Sequence, residues 1–266
     1  MCSLEKNGNI FILTLTGDDE HRLHPTLIES IQTALKQVRK EAKPGSVLIT
    51  TAQGKFFSNG EDLKYAAAAG SATGTYDRIR EMSDSFKFVV ADLLSLPMPT
   101  VAAVSGHAAA AGFILALSHD YVLMRKDKGI LYMSELNIGL TLSDYFMALL
   151  KSKIPSSSVR RHVLLQCVKI KADKAVEMGI IDFAYDTAEE SQEAALKLAV
   201  KLGFNKWNGG VYADIRMNSI PEILGLLPIS NRLYQPSLSF ENQISFPATT
   251  VISKAPIPIP TGLEVC

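Results

Sequence analysis

Between Thr100 and His119 the chain reads TVAAVSGHAAAAGFILALSH, and no other stretch restricts the fold as strongly. Thr100–Ser105 suits a buried strand, being β-branched and small. Ser105-Gly106-His107-Ala108-Ala109-Ala110-Ala111-Gly112-Phe113 follows as a loop of small side chains, and a helix through about His119 comes next. A strand that enters a helix through glycine and alanine lets other backbone or ligand atoms approach closely. The same order occurs upstream. Val47–Thr51 reads as a strand and Gly54-Lys55-Phe56-Phe57-Ser58-Asn59-Gly60-Glu61-Asp62-Leu63 as a loop that enters another helix.

The surrounding pattern supplies more of both elements. Ile10–Leu15 is apolar on both faces, as a buried strand is. Leu27, Ile28, Ile31, Leu35 and Val38 recur at helical spacing behind Pro25, which suits a first turn, and Gly45 stops that helix. Ile79, Met82, Phe86, Val89, Val90 and Leu93 form a second helical stripe, ended by Pro97 and Pro99. Tyr121–Met124 and Ile130–Met133 flank Asp127-Lys128-Gly129, which reads as a hairpin-like turn. Val159–Gln166, Ala172–Met178 and Ala188–Gly203 read as helices, with Gly179 at a C-terminal cap. Alternating strand and helix imply an α/β layered core over 1–187, followed by a helical region over 188–230. The last stretch, 231–266, carries Pro236, Pro247, Pro256, Pro258 and Pro260 without periodicity, and is expected to be a disordered tail.

Bulk properties remove several function classes. Lys+Arg and Asp+Glu both total 27 of the 266 residues, so no charge excess advertises a nucleic-acid or anionic-membrane partner. No apolar run reaches the roughly 18 residues of a membrane span. The N-terminus, MCSLEKNGNI, lacks the pattern of a secretory signal. Cys2, Cys167 and Cys266 form neither CxxC nor a metal pattern and read as unpaired thiols of a reducing compartment. These features imply a soluble intracellular protein with no metal.

Each small-residue junction can supply unsatisfied N–H groups at a helix entrance. Two such donors converging on one oxygen make an oxyanion hole, and losing one costs about 3–4 kcal/mol of transition-state stabilisation. Alone, the first junction also suits an ordinary β-to-α turn with Asp62 as cap, and the second tight helix packing through alanines.

Phe57-Ser58-Asn59-Gly60-Glu61-Asp62-Leu63 and the block Pro97–Asp120, PMPTVAAVSGHAAAAGFILALSHD, resemble the crotonase (enoyl-CoA hydratase/isomerase) superfamily. Leu131-Tyr132-Met133-Ser134-Glu135 followed by Asp144-Tyr145-Phe146 is most similar to the plant-type Δ3,Δ2-enoyl-CoA isomerases. The resemblance implies a crotonase-like β/α spiral core with a C-terminal helical region that supports trimers. It implies that the Glu61 and Ala111 amides are the oxyanion donors and that an acyl-CoA is the substrate, with no separate cofactor. Phe57, Ser58, Asn59, Gly60, Leu63 and Gly112 would then contact substrate. The CoA moiety would lie along Lys55–Leu63, where Lys55, Lys64 or Lys87 could meet its phosphates.

Hydratases of this superfamily pair two glutamates, but Ile114 occupies the first of those positions here and cannot activate water. Glu135 occupies the second. One carboxylate beside an oxyanion hole suffices for allylic isomerisation: it removes a C2 proton and returns one at C4. The competing reading of Glu135 is a solvated or capping glutamate. Asp144 is expected to cap the helix that follows it. His107 is expected to be packed and hydrogen-bonded, and Arg160-Arg161-His162 to be a solvated helix face. Ser58 and Ser134 lack the His and Asp of a serine-hydrolase triad.

Two departures stand out. Position 61 is usually small or apolar in the superfamily. An inward charge there, about 6 Å from an enolate, repels it by roughly 3 kcal/mol at an effective dielectric near 20. The chain ends Gly262-Leu263-Glu264-Val265-Cys266, without a Ser-Lys-Leu-type peroxisomal tripeptide. Peroxisomal placement therefore follows from resemblance, with the cytoplasm as alternative. Other readings are a different crotonase reaction, such as thioester hydrolysis or weak hydration, and a catalytically impaired CoA-binding homologue.

Overall fold

A computed structural model describes residues 1–229. Strands β1 (Cys2–Asn7) and β2 (Ile10–Leu15) pair antiparallel across Gly8-Asn9, with Asn7 opposite Ile10. Gly8 takes the left-handed conformation (φ 63°) that such a tight turn needs. Helix α1 (Pro25–Glu41) buries Leu27, Ile28, Ile31, Leu35 and Val38, as its spacing predicts. Next come β3 (Val47–Ala52), β4 (Phe56–Ser58), α2 (Leu63–Ala67), α3 (Ala72–Leu94), β5 (Thr100–Val104), β6 (His107–Ala109) and α4 (Ala111–Leu117). Strands β7 (Tyr121–Arg125) and β8 (Ile130–Tyr132) lead to a 3-10 turn at Glu135–Ile138. The described chain then runs through α5 (Asp144–Lys153), α6 (Ser157–Leu164), β9 (Ile170–Lys171), α7 (Ala172–Glu177), β10 (Phe183–Tyr185), α8 (Ala188–Gly203), α9 (Gly209–Asn218) and α10 (Pro221–Leu224).

The strands make two sheets, ordered β1-β2-β3-β5-β7-β10 and β4-β6-β8-β9. Beyond the β1–β2 hairpin the first sheet is parallel, and both its faces are covered, as parallel sheets require. Val47, Ile49, Val101, Ala103 and Leu123 face α8 through Ala195, Ala199 and Leu202. The intervening Leu48, Ala102 and Val104 join the larger core with α1, α3 and α4. In the second sheet β4, β6 and β8 run parallel, and β9 closes it antiparallel to β8. Parallel β4 and β6 deliver the loops at their C-terminal ends side by side. Helix α9 is tied to this core by Arg216, which pairs with Asp120 at 2.6 Å and donates to the Leu94 and Leu96 carbonyls.

Several sequence expectations are corrected here. Both predicted loops begin as short strands, β4 and β6, too brief for a period-2 pattern to mark them. Tyr121–Met124 and Ile130–Met133 do not pair as a hairpin: β7 joins the first sheet and β8 the second. Asp127 instead forms an ion pair with Arg125. Ile10–Leu15 alternates between buried and partly buried residues rather than burying both faces, because α8 covers the second face over β3, β5 and β7 rather than over β2. Asp144 is the first residue of α5, with Ser143 at the cap position and no side-chain cap bond. The expectation for 231–266 falls outside the described residues.

Candidate active site

The first carrier is the exit of β4. Phe57 and Ser58 are fully buried, and the Ser58 hydroxyl donates to the His21 carbonyl at 2.8 Å. The Asn59 amide donates to the Glu20 carbonyl, while its side chain accepts from the Tyr132 hydroxyl at 3.4 Å. Gly60 turns the chain at φ 75°, and Asp62 caps α2 by accepting from the Lys64 and Tyr65 amides. Leu63, partly buried, opens that helix.

The second carrier is the exit of β6. Ala110 sits at φ 50°, ψ −124°, a region alanine rarely enters, and so redirects the chain abruptly into α4. This turn leaves Ala111 at the first helical position. The two carriers touch through glycine. A Cβ on Gly60 would lie 3.4 Å from the Ala111 nitrogen, and one on Gly112 would lie 2.2 Å from the Ser58 carbonyl oxygen. Neither the Glu61 nor the Ala111 amide has an acceptor among the described residues. Two free N–H groups thus stand on adjacent strands' exits, the arrangement that can hold a developing oxyanion.

Glu135 begins the 3-10 turn after β8 and is 9% exposed, and its Oε2 has no hydrogen-bond partner among the described residues. It shares a cavity of about 180 Å³ with Glu61, Ile79, Ser83, Leu142 and Phe146. Burial pushes the Glu135 carboxyl above the ordinary carboxylate range, against the pull of its own and the Ser134 amide. Burial first, and the Glu135 charge second, push Glu61 up to about 7. Glu61, partly buried, thus lines the cavity that holds Glu135, a placement the sequence left open. Ile114 is fully buried in α4 and brings no carboxyl to the site.

Lys55, a candidate for CoA phosphates, stands at the opposite end of β4 from Glu61. It lines a separate cavity of about 600 Å³ with His107, Arg125, Lys128 and Lys171. Lys64 is exposed on α2 and Lys87 is partly buried on α3. His107 packs edge-on against Phe56, but its Nδ1 has no partner among the described residues, so the expected hydrogen bond is absent there. The His21 ring contacts the Phe56 carbonyl rather than Ser58, and the Ser58 hydroxyl donates to the His21 carbonyl and accepts from the Gly60 amide, so no serine triad forms around it. Sequence reasoning missed Tyr76, Arg80 and Ser83 of α3 as cavity residues. Their helix starts at Ala72, but the clear apolar stripe starts only at Ile79.

Residues 5–208 match the family model described as enoyl-CoA hydratase/isomerase. The chain is 55% identical over 235 residues to the peroxisomal enoyl-CoA delta isomerase 2 of Arabidopsis thaliana, covering 88% of this chain and 98% of that protein. Enoyl-CoA delta isomerase 3 of the same plant is 52% identical, over 86% of this chain and 96% of its own length. Its peroxisomal enoyl-CoA delta isomerase 1 is 51% identical, over 84% and 91%. Among solved structures, an apo Mtb enoyl-CoA isomerase superposes with a TM-score of 0.74 at 22% identity, covering 84% of this chain and 92% of that one. An enoyl-CoA hydratase from Mycobacterium marinum gives 0.73 at 22% identity, covering 84% and 93%. At that identity the structural likeness speaks for the fold alone.

Proposed function

The chain belongs to the enoyl-CoA hydratase/isomerase family, and on that premise we propose that it shifts the double bond of a 3-enoyl-CoA to the 2-trans position in fatty-acid β-oxidation. The three Arabidopsis relatives, all named enoyl-CoA delta isomerases, support this reaction. The observation that carries the mechanism is the buried Glu135 carboxyl, one oxygen unpartnered, sharing a cavity with the residue whose amide is free. The thioester oxygen accepts from the Glu61 and Ala111 amides. The Glu135 carboxylate removes the C2 proton, the enolate charge rests on the two N–H groups, and protonation at C4 completes the shift. A raised pKa suits Glu135 to this exchange, because its acid and base forms lie closer in free energy near neutral pH.

Phe57, Ser58, Asn59, Gly60, Leu63 and Gly112 shape the channel for the thioester, and CoA runs along Lys55–Leu63 with Lys64 and Lys87 toward its phosphates. CoA arrives as part of the substrate, and the route calls for no metal or other cofactor. The names of two relatives support a peroxisomal setting, and family membership supports a homotrimer. The second carboxyl in the cavity, Glu61, favours weak hydration as a second reading.

Turnover of a 3-enoyl-CoA, with products identified chromatographically, tests the proposal. The enzyme should yield 2-enoyl-CoA. Glu135→Gln should lose at least about 10²-fold in kcat while still binding CoA thioesters. A 3-hydroxyacyl-CoA product would favour hydration, and binding without turnover by both proteins would favour an impaired homologue.

A further inference from the structure

The route above uses the Glu61 backbone and leaves its side chain idle. Yet that carboxyl and Glu135 line one cavity of about 180 Å³. No ion pair reaches either among the described residues. The charged and titratable groups facing them come from α3, namely Tyr76, Arg80 and Asp84, with Tyr145 from α5 nearby. Arg80 turns to Asp77 at 3.6 Å, and the Tyr145 hydroxyl donates to the Ser83 carbonyl at 2.8 Å. Two carboxyls in one cavity, neither of them ion-paired among the described residues, favour holding a single negative charge between them. The raised Glu61 pKa is the matching electrostatic sign.

Resting on the isomerase reading, we propose that Glu61 is a second catalytic acid, whose neutral carboxyl delivers the proton to C4 while Glu135 takes the one from C2. In the first step the C2–H bond breaks, an O–H bond forms on Glu135, and the electron pair enters the conjugated enolate. In the second the Glu61 O–H bond breaks and a C4–H bond forms, leaving C2=C3 and a Glu61 carboxylate. The Glu135 proton then passes to Glu61 directly or through water, and the pair is reset. The inward glutamate is thus a working group in its protonated form rather than a charge opposed to the enolate.

The test uses 3-enoyl-CoA doubly deuterated at C2 in ordinary water, in single turnover with enzyme in excess. The native enzyme should place solvent-derived hydrogen at C4. Glu61→Gln keeps the oxyanion amide and the size of the side chain but cannot donate an acid proton. It should lower kcat by about 10²-fold with KM within about threefold. Its residual reaction, through Glu135 alone, should carry deuterium to C4. Glu61→Asp, which keeps the acid, should restore part of the rate and the native label pattern, and stands in if the glutamine variant does not fold. A glutamine variant as fast as or faster than the native enzyme overturns the proposal. So does a slower one with an unchanged label pattern. A native enzyme that forms no 2-enoyl-CoA refutes the isomerase reading itself, whereas an active native enzyme matched by Glu61→Gln refutes only this inference.

Discussion

One methyl group added at Gly112 should damage this enzyme far beyond its volume. The Cβ of Gly112→Ala would fall 2.2 Å from the Ser58 carbonyl oxygen and 2.8 Å from the Ser58 carbonyl carbon and Cβ. Carbon–oxygen contacts settle at about 3.3 Å or more, so the exit of β4 and the start of α4 must part by about 1 Å. Little room exists for that. Ser58 and Ile114 are fully buried, Ala111 is 1% exposed, and the opposing atoms are backbone that cannot swing away. Overpacking of this kind costs about 1–3 kcal/mol. At about 2–4 °C per kcal/mol for a chain of this size, Tm should fall by several degrees. Activity should fall further, because the displacement separates the two amides proposed to share one oxygen. Losing one such donor, about 3–4 kcal/mol, corresponds to about 10²–10³-fold in kcat. Scanning calorimetry and 3-enoyl-CoA turnover on the same preparation read both effects. An alanine variant with native Tm and kcat within about threefold would refute the packing argument.

Two further outcomes test the frame around the site. Arg216→Met should strand Asp120 without its 2.6 Å partner and lose the bonds to the Leu94 and Leu96 carbonyls, lowering stability by about 3–5 kcal/mol in urea denaturation. A loss under about 1 kcal/mol would mean that α9 is held by other contacts. His119 is fully buried, with Nδ1 against the Leu115 carbonyl and Nε2 against the Thr50 hydroxyl, so Nδ1 donates and Nε2 accepts, as neutral imidazole can. Burial depresses its pKa to about 4. Its contribution is full above about pH 6.5 and is lost as pH falls from there through about 4. The urea midpoint of His119→Gln should therefore approach that of the native chain below pH 6.5, and a gap unchanged from pH 8 to pH 4 would refute the assignment. Glu61 slopes the other way, its contribution lost as pH rises through about 7, so the histidine effect is read as the difference between the two proteins.

The helical stripes, the main parallel strands and both small-residue junctions were legible in the sequence, because each is written in local spacing. Leu27 to Val38 repeats at a helix's own period, and glycine at 60 and 112 marks where backbones meet. Three-residue strands such as β4 and β6 carry no periodic signal. Whether Ile130–Tyr132 pairs with its sequence neighbour or with β6 is set by distant backbone partners. The direction of the Glu61 side chain lies further still from the sequence. It depends on how α3, the 3-10 turn and the β4 exit enclose one cavity, and enclosure is a property of all three together. Residue types and local order therefore come from the sequence alone, while the meeting of two carboxyls in one cavity comes only from tertiary packing, because positions 61 and 135 lie far apart along the chain and only the fold brings them together.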